Sequence, residues 1–510
     1  MQHTEDNKRI AKNSMYLYIR SLIIMLVSLY TSRVILSALG FTDHGLYNLI
    51  GSVVVMFNMF SATFVSSTQR FLNFSLGEKN QKRGRDVFSA SLNIHFCLAI
   101  VLFLLMESIG LWFLNNKLNI PPDRVFAANI VYQFSILTFL INLISIPYNA
   151  VIIANEKMNI FAIVSVYEAV AKLAVAYLIQ IAPCDRLIFY SFLLAIVSLS
   201  IRIFYGFYCK KQYPLYKYNR HIDDKRLYRE LLSVSGWNFL GSSATIVTVS
   251  GMGVIINLFT NVVVNSAKGI AGQVQNVIQQ LVDNFMVSIR PQITKSYAAG
   301  DSEYLKSLVS RGSRFSFILM SLLCLPIIID ADNILTMWLS KKPEYTTQFV
   351  QFTLVYIMLI PLSNILDTLL LATGKIKMPQ IILSIVQLLN LPFSCLILYL
   401  KFPPYLIYIS YILIHYISFS IRLHFVIKYV DINLSFYIKS ILLPLLKFIF
   451  CAIIIPIIIS YSINTNGILR LLCIGIITEL SICLFCKVFV LEKNEYQLAL
   501  SILKKIIGHK

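Results

Sequence analysis

Long apolar runs, each bounded by charge, proline or glycine, alternate with short polar connections along the whole chain. They fall near positions 14–39, 45–69, 87–113, 126–154, 160–182 and 187–209 in the first half. They resume near 231–258, 263–289, 312–339, 349–373, 380–402 and 405–426, and two more lie near 441–461 and 468–491. A spanning helix needs roughly 20 mostly apolar residues, so the pattern predicts an all-α polytopic membrane protein of about fourteen spans. The runs are continuous over helical lengths and lack a period of two, which excludes a strand-built barrel. Beyond the last run, Leu498, Leu500, Ile502, Leu503, Ile506 and Ile507 are interspersed with Lys504 and Lys505, a pattern that predicts an interfacial amphipathic helix.

Composition agrees: 57% of the 510 residues are hydrophobic and 13% charged, with a mean hydropathy of +0.73. The net charge of +20 raises nucleic acid as a partner, but the basic residues sit between apolar runs and form no solvated basic face, so none is expected. Their distribution reports topology instead. With an even span count, one set of connections and both termini holds about 28 Lys and Arg against about 7 in the other set, which puts both termini in the cytoplasm. Trp112, Trp237 and Trp338 fall near predicted span ends, where indoles belong. The longest outer connection, Asn115–Val125, leaves no room for a folded catalytic domain, so the chain reads as a non-enzyme. The nine Cys are scattered through apolar segments without ligand spacing, so no metal or cofactor is expected. Arg20 and Arg33 interrupt the first apolar stretch and no cleavage site follows, so the first span is expected to be retained.

The first twelve runs divide into two groups of six that share a pattern. Phe41-Thr42 leads to Ser67, Arg70, Gly77 and Glu78, and Phe259-Thr260 leads through Lys268-Gly269 to Ser288, Arg290, Gly300 and Asp301. Six is even, so the halves enter the membrane in the same orientation, with a binding site expected between them. The expected organisation is a lobe over 1–209, a basic cytoplasmic connector over 210–230, a second lobe over 231–426, and two further spans with the amphipathic tail over 427–510.

Several fragments carry a family resemblance. They are Ser32-Arg33 with Leu39-Gly40, Thr68-Gln69-Arg70-Phe71, Ile120-Pro121, Pro147-Tyr148-Asn149-Ala150, Asn155-Glu156-Lys157 and Ser235-Gly236-Trp237-Asn238. Asn265 through Val274, and Pro291 through Tyr297, complete the set. With this order and spacing the chain resembles the polysaccharide biosynthesis proteins of the multidrug/oligosaccharidyl-lipid/polysaccharide (MOP) exporter superfamily, in particular O-antigen-type flippases. The resemblance implies movement of an undecaprenyl-diphosphate-linked oligosaccharide across a bacterial inner membrane, with the polysaccharide polymerase machinery as a possible partner. Lys268 stands where that pattern often has Arg, which keeps the cation and changes its geometry.

Charges inside spans need a partner, a wet cavity or an escape to the interface. Arg20, Arg202, Arg422 and Lys447 lie close to cytoplasmic span ends, where snorkelling accounts for them. Arg33, Arg70, Lys172, Lys268 and Arg290 are the candidate substrate-binding cations, since both halves contribute positive groups to a diphosphate path. Glu168 lies one turn from Lys172, and with Asp283 and Asp367 is a candidate for ion coupling. Snorkelling and local pairing compete with these roles. Two rivals share the fold: a multidrug cation antiporter, which wants carboxylates where the first span has Arg33, and a lipid II flippase. A lipid-dependent membrane enzyme wants a catalytic outer loop that the short connections do not supply.

Overall fold

The computed structural model describes every residue except 1, 58–67, 69–70, 73–74, 76–79, 156, 220–221, 223–225, 340, 376, 431, 464–466 and 492–510. Side chains are also left aside at 2–19, 215, 233–242, 284, 287–288, 291, 295 and 298. The expected tail helix, Arg70 and the Trp237 side chain therefore lie outside the described residues.

The described chain is helical from end to end. The helices are α1 (Gln2–Met56), α2 (Gln81–Leu105), α3 (Leu111–Lys117), α4 (Val125–Ala154), α5 (Met158–Leu178) and α6 (Arg186–Gln212). Then follow α7 (Arg226–Phe259), α8 (Val262–Ala299), α9 (Ser302–Ile329), α10 (Ala331–Leu339), α11 (Thr346–Met358) and α12 (Ile360–Thr373). The last are α13 (Lys377–Leu388), α14 (Asn390–Tyr399), α15 (Ile407–Tyr429), α16 (Leu434–Tyr437), α17 (Leu443–Ser462) and α18 (Ile468–Phe489). Among the described residues, 11 helical stretches are long and apolar enough to cross a membrane. The chain is a multi-pass helical membrane protein. Each apolar run of the sequence carries helix, although 45–69 is described only in part and joins the preceding run within α1.

Local sequence explains the breaks. Gly40 adopts φ 77 inside α1, a backbone that a side chain would strain, so it divides α1 into two helical segments. Arg186 Nη1 donates to the carbonyl of Ala38 at 3.0 Å, satisfying one acceptor that the break releases. A π-turn over Met106–Gly110 joins α2 to α3. The Met106 carbonyl accepts the π-type bond from the Leu111 N–H and a second bond from the buried Tyr132 hydroxyl at 2.9 Å. Asn80, Asp185, Asp301 and Asn433 cap helix N-termini through their side chains.

Two compact units emerge. Unit 1 comprises Met1–Ile270 with Ser384–Ile407, and unit 2 comprises Ala271–Leu383 with Tyr408–Lys510. The division thus runs through α8, because α7 and the first turns of α8 pack tightly on α1. Inside unit 1 one core gathers Leu46, Leu49, Val131 and Tyr132, and a second, at the connector, gathers Phe88, Tyr205, Leu227 and Leu231. The connector is fastened there: Asn219 N–H donates to Ser89 Oγ at 3.0 Å, and Tyr218 Oη donates to Asn93 Oδ1 at 2.9 Å. Burial pushes the Tyr213 hydroxyl in this connector up to about 12.

Unit 2 is tied by charged groups. Arg470 Nε donates to the buried Asp330 at 2.8 Å, and Asn333 bonds both Asp330 and the Gly467 backbone. Arg314, buried on α9, donates to the carbonyl of Val490 at 2.8 Å and closes the C-terminus of α18.

Candidate functional site

The most specific polar geometry lies in unit 1, where the second segment of α1 meets α7 and α8. His44, Asn48 and Ser52 follow each other at four-residue intervals and so line one face of α1. Buried His44 pairs through Nδ1 with Ser266 Oγ at 2.6 Å. Asn48 Nδ2 donates to the His44 carbonyl at 2.8 Å, and Ser52 Oγ donates to the Asn48 carbonyl at 2.8 Å.

Three glycines let the helices approach this closely. A Cβ on Gly45 would lie 1.7 Å from the Val262 carbonyl oxygen, one on Gly269 would lie 2.8 Å from the Asn48 amide, and one on Gly253 would lie 2.6 Å from Ser52 Oγ. Small residues serve helix packing in membranes in this way, since apolar side chains gain little by leaving lipid. A reciprocal link strengthens the seam. Asn119 N–H donates to Asn257 Oδ1 at 2.8 Å, Asn119 Nδ2 donates to the Asn257 carbonyl at 2.8 Å, and Asn257 Nδ2 donates to the Asn119 carbonyl at 3.1 Å.

Lys268 ends this seam. Its Nζ donates to the Val249 carbonyl at 3.2 Å and stands beside Gly253, whose missing side chain makes room for both the ammonium and Ser52. Val249 is ten residues before Phe259, so the ammonium lies about 15 Å along α7 from its C-terminal end.

The other expected residues are placed as follows. Arg33 belongs to an exposed stripe of α1 that runs Leu22, Leu26, Tyr30, Arg33, Ser37. On this face the lower positions are apolar and the upper ones polar, and Tyr30 shares a 2.7 Å hydroxyl contact with Tyr177 of α5. Lys172 donates to Glu168 Oε1 at 2.6 Å, so the pair that the sequence spacing allows is formed. Its position is informative. Both residues share the face of α5 that buries Val164, Val175, Ala176 and Ile179, yet their side chains stay 48% and 43% exposed. The opposite face carries exposed Ile163, Val170 and Ile181, as a lipid-facing surface should. Glu168 and Lys172 therefore occupy a recess on the packed side of the helix, and Glu168 lies within electrostatic reach of Tyr205 on α6.

In unit 2, Asp283 and Arg290 are both exposed on α8, two turns apart on one face, with Arg290 an electrostatic neighbour of Asp283. Asp367 accepts from Arg422 Nε at 2.7 Å, and Arg422 is nearly buried. Snorkelling therefore does not describe Arg422: its charge is met inside the protein. Arg202 packs over the Tyr148 ring at 4.0 Å and Arg20 over Phe161 at 4.7 Å, so both have aromatic partners, whereas Lys447 is exposed. Among the described residues no cluster of His, Cys, Asp and Glu has the arrangement of a metal site.

Ionic contacts also organise the end of unit 1 where α1 breaks and α4 and α6 begin. Arg124 pairs with Asp43 just beyond the Gly40 break, and with Asp185 at 2.6 Å. Asp185 lies between spans, where burial would raise its pKa, but the Arg124 hydrogen bond and the N–H groups of Ile188 and Leu187 outweigh burial and hold it below the ordinary value.

Sequence reasoning missed His44, Asn48, Ser52, Asn119 and Asn257. A signal existed for the first three, since a polar residue every fourth position inside an apolar run marks a face that lipid does not cover. The Asn119–Asn257 link had none, because its partners are 138 residues apart.

The MatE family model matches residues 242–396, and no match is found among curated proteins. Among solved structures the chain is similar to an inward-facing multidrug resistance MATE family transporter of the MOP superfamily, with a TM-score of 0.67 and 11% identity over 80% of this chain and 98% of that one. It is similar to the lipid II flippase MurJ in an inward closed conformation, with a TM-score of 0.70 and 13% identity over 94% of this chain and 98% of that one. It is also similar to a MOP superfamily transporter from Pyrococcus furiosus described by the reverse polarity of its binding pocket, with a TM-score of 0.61 and 12% identity over 81% and 94%. The chain thus has the fold common to MATE transporters and MurJ, and carries a MatE match over residues 242–396.

Proposed function

We propose that the chain is a flippase that carries an undecaprenyl-diphosphate-linked oligosaccharide from the cytoplasmic to the outer leaflet of a bacterial inner membrane, for O-antigen or capsule assembly. The observation that carries this reading is the placement of cations inside spans. Lys268 stands at the end of a glycine-lined seam, Arg33 on the polar part of an exposed stripe of α1, and Lys172 in a recess of the packed face of α5. A diphosphate is the ligand class that such groups suit. Fold likeness to MurJ, itself named a lipid II flippase, is compatible with the reading. Arg70 and Arg290 would receive the head group at the inner side, and Asp283, Asp367 and Glu168 are the carboxylates available for ion coupling.

In this mechanism the lobes 1–209 and 231–426 rock in alternating access, the sugar and diphosphate cross between them, and the polyprenyl tail stays in lipid. A diphosphate carries about two negative charges, and an inside-negative potential favours its outward movement by roughly 2.3 kcal/mol per charge per 100 mV. Thermodynamics therefore does not demand a coupling ion. Both termini would be cytoplasmic, and the chemistry would be transport without catalysis.

A second reading, export of organic cations, is favoured by the MatE match over 242–396. The two separate in one experiment. The gene is expressed in a strain lacking its own O-antigen flippase, supplied in turn with several repeat-unit pathways, and surface polysaccharide and drug resistance are both measured. Restored polysaccharide that is lost in Arg33→Ala and Lys268→Ala supports the flippase; resistance without polysaccharide in any background rejects it.

A further inference from the structure

The Lys268 ammonium does two things in one place. It supplies a positive charge at the inner end of the seam, and it donates to the Val249 carbonyl, holding α8 against α7. Above it the contact between α1, α7 and α8 rests on the His44–Ser266 pair, the Asn48–Gly269 approach and the Asn119–Asn257 link. Resting on the flippase reading above, we infer that Lys268 is a trigger: a diphosphate arriving from the inner side draws the ammonium off the Val249 carbonyl and thereby loosens the seam.

The chemistry favours the exchange. The Val249 carbonyl already lies within α7, where the N–H of Gly253 is its helical partner, so it offers Lys268 a neutral and shared acceptor. A diphosphate offers anionic oxygens, so the ammonium would exchange a bond to a neutral carbonyl for an ion pair in which two full charges attract directly. Gly253 leaves the ammonium free to swing, since no Cβ fences it in. Once Lys268 has left, the seam retains hydrogen bonds between neutral groups that water can replace. Linkage makes the effect reciprocal, so a seam held shut must weaken diphosphate binding by the same factor.

The test uses the full-length chain in proteoliposomes, with the nine native Cys replaced and a Cys pair introduced by His44→Cys and Ser266→Cys. The rate of disulfide formation reads seam closure, and binding of radiolabelled undecaprenyl diphosphate is measured on the same samples. Saturating undecaprenyl diphosphate should slow cross-linking at least five-fold in the Lys268 parent and leave it unchanged in Lys268→Ala and Lys268→Gln. Lys268→Arg should keep the response. Inorganic pyrophosphate forms a second arm: slowing by it alone supports the trigger with the head group as sufficient ligand. Ligand that binds without slowing the cross-link overturns the trigger and leaves the flippase reading standing. Absence of binding to the parent overturns both.

Discussion

Replacing Gly45 by Ala should prise the seam apart. The added Cβ would lie 1.7 Å from the Val262 carbonyl oxygen and 2.6 Å from its carbon, both main-chain atoms that no rotamer change can move. An ordinary contact needs about 3.2 Å or more, so α1 and the start of α8 must separate by about 1.5 Å there. His44 and Ser266, one residue away on one side and a turn away on the other, are 2.6 Å apart. After such a shift their bond is lost, at about 1 kcal/mol. Overpacking adds about 1–3 kcal/mol. The expected cost is therefore about 2–4 kcal/mol against the closed seam, enough to shift an opening equilibrium by about 30- to 1,000-fold. Gly272→Ala is the control, since nothing lies within 4 Å of a Cβ there, and Ala in a helix is favoured over Gly by about 1 kcal/mol. Thermal unfolding in detergent, followed by size-exclusion fluorescence, should fall for Gly45→Ala and hold or rise for Gly272→Ala. Equal melting temperatures for the two variants would refute the close approach.

Three further outcomes follow from named contacts. Asn257→Ala removes the two hydrogen bonds that its side chain makes to the Asn119 backbone, leaves the one to its own carbonyl, and should cost about 1–3 kcal/mol, seen as a lower melting temperature and faster proteolysis within 115–125; an unchanged cleavage rate would count against it. Arg422→Ala strips a nearly buried guanidinium from Asp367 and should cost roughly 1–2 kcal/mol, given that Asp367 keeps partial access to water. The double variant with Asp367→Asn should recover part of that loss, and strict additivity in the cycle would deny the pair. Asp185 has its pKa held below the ordinary value, so its stabilisation is fully present above an unfolded value of about 3.9 and disappears as pH falls through the lower folded value. Asp185→Asn should therefore flatten the acid limb of a melting-temperature profile below about pH 4, and an unaltered limb would dismiss this network as its source.

How far the sequence reveals this protein depends on the range of each interaction. Hydrophobic runs report a one-dimensional property, solvation of a continuous segment, so each apolar stretch carries helix among its described residues. Glu168 and Lys172 were legible as a pair for the same reason, since a helix brings residues four apart together whatever surrounds them. Their exposure in a recess of an otherwise packed face was not, because it depends on what α1 and α6 leave uncovered. Arg422 shows the limit most clearly. Its depth in the span suggested an escape to the interface, while its partner Asp367 lies 55 residues away in sequence and only the fold brings them together. Gly45, Gly253 and Gly269 read in sequence as mere small residues, and become indispensable only where another helix backbone or side chain presses on them.

The chemistry of the ties separates contacts that can open from those that must not. In unit 1 the seam rests largely on neutral groups, His44 with Ser266 and Asn119 with Asn257, each worth about 1 kcal/mol net because water replaces what is lost. Among the described residues, the buried Asn265 Nδ2 has no acceptor, a defect of about 1–3 kcal/mol that water entry would relieve. The closed seam is therefore held by only a few kcal/mol, as the alternating access proposed above would require. In unit 2 Arg470 meets Asp330, which is 3% exposed, and Asn333 and the Gly467 backbone complete the network. Removing one partner from such a buried pair costs about 3–5 kcal/mol, which makes the network a poor hinge and a good rivet. Hydrogen exchange should rank them accordingly. Backbone amides of 44–52 and 257–268 are expected to exchange at least ten-fold faster than those of 330–334 and 468–472 at equal depth in their helices, and Gly45→Ala should widen the gap. Equal protection of the two sets would mean that the seam is as permanent as the rivet, and neither rocking of the lobes nor a trigger at Lys268 could then operate through it.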